Sequence, residues 1–339
     1  MADNDRMTSA HHPTAALPFA GLTPDRMLDA VDSIGLRCDG RLTALNSYEN
    51  RVVLLGLVDG GEVVAKFYRP GRWSDAQILE EHDFVAELRQ EEVPVVAPLT
   101  VDGRTLHAAA GQRVALYPRQ GGRAPEIDRP EVLEWMGRLM ARIHAVGARR
   151  PFDERPRLDI DSFGYDARDS LLDGGMVPEE IVDVWHGVVD QALDGVLASF
   201  ERAGPLRNVR THGDCHVGNV LWSPDAGPHF VDFDDARMAP AVQDLWMLLG
   251  AGDEMCDAWR HVRAGYTLMR EFDEAELEVV EALRTLRLLH HSAWIAQRWD
   301  DPAFPAAFPW FAQPRYWEAR ILEMREQIAR MDEPFFSGA

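Results

Sequence analysis

The polar residues with the most regular spacing lie in two short segments, T-H-G-D-C-H-V-G-N at 211–219 and F-V-D-F-D-D at 230–235. Transfer of a phosphoryl group needs a carboxylate that orients or deprotonates the attacking hydroxyl, and oxygen ligands for the metal ion that neutralises the phosphate. Carboxylate and amide oxygens suit Mg2+. The spacing therefore predicts Asp214 as the base, and Asn219 with Asp232 as metal ligands. Asp214 and Asp232 are the predicted catalytic pair.

The spacing of the first segment matches that of a known catalytic loop. Its D-x-x-x-x-N spacing is that of H-R-D-x-x-x-x-N in protein kinases, with Gly213 in place of arginine. The H-G-D form resembles that of aminoglycoside and choline kinases. Asp232 resembles the metal-binding aspartate of the D-F-G element, although Phe233 and Asp234 follow it here. The resemblance implies a kinase, with His212 orienting the loop.

A lysine at the end of a strand-like run is the predicted nucleotide ligand. V-V-A-K at 63–66 resembles the V-A-I-K strand of protein kinases, whose lysine holds the α- and β-phosphates of ATP. By that resemblance Lys66 contacts ATP, paired with a glutamate on the helix that follows. Glu81 fits best because apolar residues follow it at i+4 and i+7, while Glu80 remains an alternative.

A segment without glycine occupies the position expected for the loop that covers the phosphates. N-S-Y-E-N at 46–50 joins two regions of strand-like sequence, and it lacks the G-x-G-x-x-G pattern of protein kinases. Backbone amides in a turn can still cap phosphates. The hydroxyl of Ser47 and the amide of Asn50 can assist them. Both residues are therefore predicted to bind the nucleotide.

A further acidic residue allows two interpretations. Asp244 lies in V-Q-D-L-W, near the start of the helix predicted after the second polar segment. It can support the catalytic loop. It can equally cap the helix, since aspartate is a favoured N-cap residue.

The elements that must position these residues change along the chain. Strand-like runs of antiparallel type dominate from about 42 to 117, with one helical segment at 75–92. Long amphipathic stretches dominate after Gly122. The predicted fold is α+β and bilobal, like that of protein kinases, with a five-stranded antiparallel sheet and one helix before a mainly helical part. The strand-like runs are 52–58, 62–68, 95–101, 105–109 and 112–117, and the amphipathic stretches are 130–147, 178–203, 240–271, 274–299 and 314–331.

The same pattern predicts the domain organisation. Residues 1–20, with two histidines and prolines but no apolar run, are predicted to form a flexible tail. Residues 21–118 form the nucleotide-binding N-lobe. Residues 119–334 form the C-lobe, which contains the catalytic hairpin 209–235.

The composition excludes several classes of protein. A formal charge of -21, from 56 acidic and 35 basic residues, would repel the phosphate backbone, so no nucleic-acid partner is expected. The three cysteines show no metal-binding or disulfide spacing, which favours a reducing compartment. No stretch approaches the roughly 20 apolar residues of a spanning helix, so no membrane partner is expected. We expect a cytoplasmic monomer.

Over most of its length the chain resembles the stress response kinase A family, bacterial serine/threonine protein kinases of the aminoglycoside-phosphotransferase and choline-kinase-like superfamily. The resemblance implies ATP and Mg2+ as cofactors, a protein with a serine or threonine acceptor as substrate, and a role in stress survival. It is carried by L-N-S-Y-E-N-R-V, V-A-K-F-Y-R-P, I-L-E-E-H, H-G-D-C-H-V-G-N, V-D-F-D-D-A-R and V-Q-D-L-W-M-L-L.

Two other functions remain open from the residues alone. The local motif is shared by kinases of small molecules, so an aminoglycoside, choline or homoserine-like acceptor is one alternative. A strongly acidic cleft would favour a cationic acceptor of that kind. The other alternative is a nucleotide-binding scaffold without turnover, which the intact set of predicted catalytic residues disfavours.

Overall fold

A five-stranded antiparallel sheet forms the N-terminal part of the chain. The computed structural model describes residues 17–223, 227–249 and 254–333. The strands of the sheet are Cys38–Ala44 (β1), Arg51–Leu57 (β2), Glu62–Phe67 (β3), His107–Ala109 (β4) and Gln112–Pro118 (β5). Their spatial order is β1-β2-β3-β5-β4, and each neighbouring pair is antiparallel. Helix α1 (Pro24–Ser33) precedes the sheet, and α2 (Asp75–Gln90) lies between β3 and β4. The predicted sheet with one embedded helix is confirmed.

The composition of the sheet differs from the prediction in two strands. The prediction omits β1, because this edge strand is exposed on both faces except at the half-buried Cys38 and Leu42, and so lacks an apolar pattern. The strand predicted at 95–101 is wrong. Within it, Val96 N donates to Phe230 O (2.9 Å) and Leu99 N donates to the β5 carbonyl of Leu116 (2.6 Å). Its other backbone hydrogen bonds are local, such as that from Val101 N to Arg104 O, so no ladder to a single neighbouring strand forms.

Alternation along β3 fixes the direction of Lys66. Val63, Ala65 and Phe67 are buried in the core that the sheet shares with α1. Successive side chains of a strand point to opposite faces, so Lys66 lies on the other face. That face also carries Tyr68, which packs with Ile78 of α2.

The remainder of the chain is mainly helical, as predicted. The predicted stretches 130–147 and 314–331 match whole helices, whereas 240–271 contains a 3-10 turn after its first short helix and 274–299 begins with a 3-10 turn before its helix. The prediction omits a π-helical turn at Asp161–Tyr165, which leads into the next helix. The helices are Pro130–Gly147 (α3), Asp166–Asp173 (α4), Val182–Ala203 (α5), Val242–Leu245 (α6), Glu254–Thr267 (α7), Val280–Ala296 (α8), Ala303–Ala307 (α9) and Pro314–Met331 (α10).

Helices α3 and α7 cross with their backbones in close contact. A Cβ atom added at Gly137 of α3 would overlap the carbonyl oxygen of Val262 in α7. Reciprocally, a Cβ atom at Gly265 of α7 would overlap the carbonyl oxygen of Glu134 in α3. The two glycines therefore set the separation of the helices.

Short strands hold the two polar segments. Val209–Thr211 (β6) pairs with Arg237–Ala239 (β9), and Val220–Ser223 (β7) pairs with Gly227–Phe230 (β8). Residues 212–219 thus connect β6 to β7, and residues 231–236 connect β8 to β9. The end of β6 pairs with the start of β9, and the start of β7 pairs with the end of β8, so the two connections run between the same two strand pairs and lie side by side.

Part of the predicted N-terminal tail lies outside the described residues, namely 1–16. Residues 18–21 form a turn, and Phe19 is buried in the core of the sheet beneath the guanidinium of Arg51. The packed part of the chain therefore begins before residue 21. Within the described residues, none of the helices combines the length and the apolar composition needed to cross a lipid bilayer.

Candidate active site

One cleft of about 690 Å³ brings together most of the predicted site residues. The 46–50 loop forms one part of its lining, the connection 212–219 a second, and the connection 231–236 a third. Lys66 and Glu81 are buried behind this lining, at 6% and 2% exposure. The predicted residues in the lining are Ser47, Asn50, Asp214, Asn219 and Asp232.

Asp244 holds the start of the 212–219 loop. Its two carboxylate oxygens accept the backbone N–H groups of His212 and Gly213, each at 2.8 Å. His144 Nε2 donates to the same carboxylate at 3.0 Å, and both side chains are fully buried. Burial opposes the charge, but these hydrogen bonds prevail and lower the pKa of Asp244. Of the two interpretations of Asp244, loop support is confirmed.

His212 orients the loop, as its resemblance to the kinase motif implied. Its Nε2 lies 2.9 Å from the carbonyl oxygen of Val231, between the two polar segments. The ring also packs against Phe233, with centroids 4.4 Å apart. The imidazole therefore links one polar segment to the other.

The structure explains why glycine occupies position 213 of the H-G-D motif. Its φ of 85° lies in the left-handed region, and an added Cβ would overlap the carbonyl oxygen of Asp235. Only glycine adopts this conformation at no steric cost. The arginine that protein kinases carry here would displace the second polar segment.

Asp214 forms an ion pair with a residue that no sequence motif identified. Its Oδ1 lies 2.6 Å from Nη1 of Arg287, on α8. The geometry is not that of a hydrogen bond, so Oδ1 remains a buried acceptor without a donor. Asn219 Nδ2 donates to the backbone carbonyl of Asp214 at 2.9 Å. This bond fixes the amide of Asn219 and leaves its side-chain oxygen for another partner.

Lys66 pairs with two aspartates of the second segment. Its Nζ lies 3.0 Å from Oδ1 of Asp232 and 3.0 Å from Oδ1 of Asp234. Burial disfavours the ammonium, but these carboxylates outweigh it and raise the pKa of Lys66 well above its usual value. Asp234, which stands where D-F-G has glycine, therefore supplies the second carboxylate that pairs with Lys66.

The predicted ion pair between Lys66 and Glu81 is not formed within 4.0 Å in the described part of the chain. Glu81 still faces this centre, with Arg155 Nη1 at 3.7 Å, and burial raises the pKa of its carboxyl to about 7. Glu80 instead accepts the backbone N–H groups of residues 153–155 at 2.5, 3.0 and 2.7 Å. Of the two glutamates, Glu81 is therefore the one near Lys66, and Asp234 occupies the expected contact.

Asn50 ties the 46–50 loop to the second segment. Its Oδ1 accepts the N–H of Arg69 at 3.0 Å, and its Nδ2 donates to Asp234 Oδ2 at 3.3 Å. The residue is only 3% exposed. Ser47 is half-buried and lines the cleft. Of the two residues, Ser47 therefore has the freer side chain.

Glu49, between them, anchors the same loop to the C-terminal helices. Its buried carboxylate accepts from Nε1 of Trp294 at 2.6 Å and lies 2.7 Å from Nε of Arg298. Tyr48 packs on Phe308, with ring centroids 5.0 Å apart. We call these contacts between the 46–50 loop and residues 294–308 the C-terminal clasp. No motif in the sequence pointed to it.

The fold is that of solved phosphotransferases. Amicoumacin kinase hAmiN, solved in complex with AMP-PNP, Ca2+ and Ami, is similar with a TM-score of 0.70 and 19% identity, covering 92% of this chain and 95% of its own. The model of the phosphotransferase enzyme family matches residues 41–283. That range contains Lys66 and both polar segments, so fold and site together define a phosphotransferase.

Curated relatives make the assignment more specific. Stress response kinase A of Salmonella choleraesuis (strain SC-B67) is 41% identical over 94% of this chain and 96% of its own. The serine/threonine protein kinase RdoA of Salmonella typhimurium (strain LT2) is likewise 41% identical, over the same shares. The chain therefore belongs to the phosphotransferase enzyme family and, within it, to the stress response kinase A family. The resemblance carried by the sequence motifs is confirmed.

Proposed function

We propose that this phosphotransferase is an ATP- and Mg2+-dependent kinase that transfers the γ-phosphate of ATP to serine or threonine hydroxyls of proteins. The observation that carries the proposal is the convergence of Asp214, Asn219, Asp232 and Lys66 on one cleft. The name of a relative that is similar over nearly the whole chain, serine/threonine protein kinase, supports a protein acceptor.

Each side chain has a part in the proposed reaction. Asp214 orients the acceptor hydroxyl and accepts its proton at Oδ1, the oxygen that Arg287 contacts in the structure. Lys66, held as a cation by its carboxylate neighbours, binds the α- and β-phosphates. Because Asp244 and Lys66 hold these groups before substrate arrives, the site is preorganised for the charge that develops during transfer.

The residues present fit a magnesium ion. Asn219 has a free amide oxygen, and Asp232 carries a carboxylate that is 55% exposed at the cleft. Mg2+ is usually bound by one or two carboxylates together with phosphate oxygens of the substrate. When bound, the ion would neutralise the phosphate oxygens. Asp232 has φ 60° and ψ 62°, a left-handed conformation that aspartate tolerates.

The proposal extends to cellular setting and organisation. We place the protein in the bacterial cytoplasm, in the response to stress that the names of its relatives describe. The proposed lobes are 21–118 and 119–334, acting as a monomer. ATP and a protein substrate are the proposed partners, and Ser47, Asn50 and Glu81 support the bound nucleotide.

The first test is transfer of radiolabel from γ-labelled ATP, with Mg2+, to a generic protein acceptor, to the enzyme itself, to kanamycin and to choline. We expect label on protein serine or threonine. Label on a small molecule alone would contradict the protein acceptor, and no transfer to any acceptor would favour a scaffold.

Matched variants test the roles of the two aspartates. Asp214→Ala should lower turnover by about 10²-fold or more, while ATP binding is largely kept, because Asp214 acts on the acceptor. Asp232→Ala should weaken binding of Mg-ATP as well. Calorimetric titration with a non-hydrolysable ATP analogue separates the two effects. Equal turnover of wild type and Asp214→Ala would refute the mechanism.

A further inference from the structure

One stripe of helix α8 forms a wall of the cleft beside Asp214. Leu283, Arg287, His290, His291 and Trp294 all line the cleft, and their spacing places them on one face of the helix. The stripe contains no carboxylate. A wall meant to hold a cationic acceptor would need acidic side chains there.

A second arginine lines the cleft from the stretch 156–158. Arg157 lines the cleft, is exposed, and forms no ion pair within 4.0 Å in the described part of the chain. Burial lowers the pKa of His290 to about 3 and that of His291 to about 4, so both imidazoles are neutral near pH 7. Arg157 and Arg287 therefore supply the positive charge of this region.

Besides Asp214, which contacts Arg287, the other carboxylates of the cleft have cationic partners on other elements. Asp232 and Asp234 pair with Lys66, while Asp235 lies 2.8 Å from Arg72. Glu49 belongs to the C-terminal clasp. In a chain with a formal charge of -21, an exposed lining arginine that has no ion pair among the described residues, Arg157, runs against the overall charge. The lining holds as many arginines as carboxylates, so it is much less acidic than the chain as a whole.

Arg287 can leave Asp214 and bind another anionic group instead. The guanidinium lies 2.6 Å from Oδ1 without hydrogen-bond geometry, and its side chain is 40% exposed. An anionic group on the acceptor would offer this guanidinium a bidentate partner. Arg287 would then leave Oδ1, and the acceptor hydroxyl would reach it.

We propose that Arg287, assisted by Arg157, selects acceptors that carry an anionic group, a carboxylate or a phosphate, close to the reacting hydroxyl. The proposal rests on the proposed role of Asp214 as the residue that orients the acceptor hydroxyl. Arg287 is here a specificity-determining residue, since it contacts the acceptor without taking part in proton or phosphoryl transfer. Cationic acceptors such as aminoglycosides are disfavoured at this wall.

Matched serine peptides test the preference. Four peptides differ only in the residues flanking serine, which are glutamate, phosphoserine, alanine or lysine. We expect kcat/KM to be about tenfold or more higher for the anionic peptides than for the lysine peptide, as for a hydrogen bond to a charged group. The glutamate and phosphoserine arms show which anion is preferred. A higher kcat/KM for the lysine peptide, or no difference, would overturn the proposal.

Variants locate the preference. The quantity compared is the ratio of kcat/KM for an anionic peptide to kcat/KM for the lysine peptide. Arg287→Ala should reduce this ratio to near one, and Arg287→Lys should keep part of it. If Arg287→Ala does not fold, Arg157→Ala should still lower the ratio in a soluble, folded protein. Arg325→Ala is the matched control, because Arg325 is an exposed arginine of α10 that does not line the cleft. A ratio unchanged in both Arg287→Lys and Arg157→Ala would remove these residues from the explanation.

A binding measurement separates this proposal from the proposed function. Fluorescence anisotropy of the labelled peptides, with enzyme and Mg-ADP, requires no transfer. If no peptide is phosphorylated, the protein-kinase function fails, yet tighter binding of the anionic peptides that depends on Arg287 would still support the wall's selectivity. Equal or tighter binding of the lysine peptide would overturn it.

Discussion

A buried carboxyl group, Glu276, supports the helix that carries Asp244. Its Oε2 accepts the N–H of Val242, the first residue of α6, at 2.7 Å. The side chain is 4% exposed, and burial raises the pKa of its carboxyl to about 7, from an ordinary value near 4.5. The folded protein therefore binds this proton more tightly than the unfolded chain does.

This shift predicts a pH-dependent contribution to stability. The contribution is fully present below about pH 4.5 and is lost as the pH rises through about 7. Glu276→Gln keeps an oxygen for Val242 but does not titrate. Between pH 5 and pH 8 the free energy of unfolding of wild type should fall by about 2–3 kcal/mol relative to the variant. Urea unfolding of both proteins measures the difference, and parallel pH profiles would contradict the expected shift.

At the residue scale, the proposed catalytic residues are easier to predict from the sequence than the residues that hold them in place. Asp214, Asn219 and Asp232 can be predicted because they lie in two short segments with a recognisable spacing. Arg287 and His144 lie on helices far from the motif, where an arginine or a histidine at a buried helical face has many explanations. Asp234 contacts Lys66 because of how the second segment folds, and residue type alone does not show that contact.

Among the elements, the crossing of α3 and α7 depends on the absence of side chains. Gly265→Ala should lower the free energy of unfolding by about 1–3 kcal/mol, because the added methyl meets the backbone of Glu134 and the helices must separate. Gly187→Ala is the matched control. Gly187 is an exposed residue of α5 whose added Cβ has no neighbour within 4 Å, so it should gain about 0.5–1 kcal/mol. Urea unfolding measures both, and equal effects would contradict the close crossing.

The elements also differ in how readily their sequences predict them. Helix α2 carries a complete capping box between Ser74 and Gln77, and α10 begins with Pro314, so local signals mark both. The run 95–101 looks like a strand because four of its seven residues are β-branched, namely Val95, Val96, Thr100 and Val101. Its hydrogen-bond partners lie far away in sequence, and no local pattern specifies them.

On the scale of the whole molecule, the C-terminal clasp joins the sheet and the helices around the cleft. Asp301 reinforces it, with Oδ2 accepting from Arg69 Nη1 at 3.0 Å. Trp294→Phe keeps an aromatic ring against Phe304 and Phe308 but removes the N–H that Glu49 accepts.

We therefore expect Trp294→Phe to raise the KM for ATP about three- to tenfold, which corresponds to roughly 1 kcal/mol, the typical net contribution of one hydrogen bond. Steady-state kinetics with varied ATP measures this change, and the midpoint of thermal unfolding checks the fold. Trp135→Phe is the control, because Trp135 is 49% exposed on α3 and does not line the cleft. Similar KM values for both variants would show that the clasp does not act on nucleotide binding.

The clasp also has a consequence for the order in which the enzyme is made. Glu49 and Trp294 are 245 positions apart, so the ribosome adds the partner of the 46–50 loop long after the loop itself. The sheet can form while synthesis continues, since domains fold from the N-terminus onward. A nascent chain that already contains Lys66, Asp214 and Asp232 still lacks the residues that fasten the loop. The clasp therefore forms only after residues 294–308 have been synthesised, late in the translation of the chain.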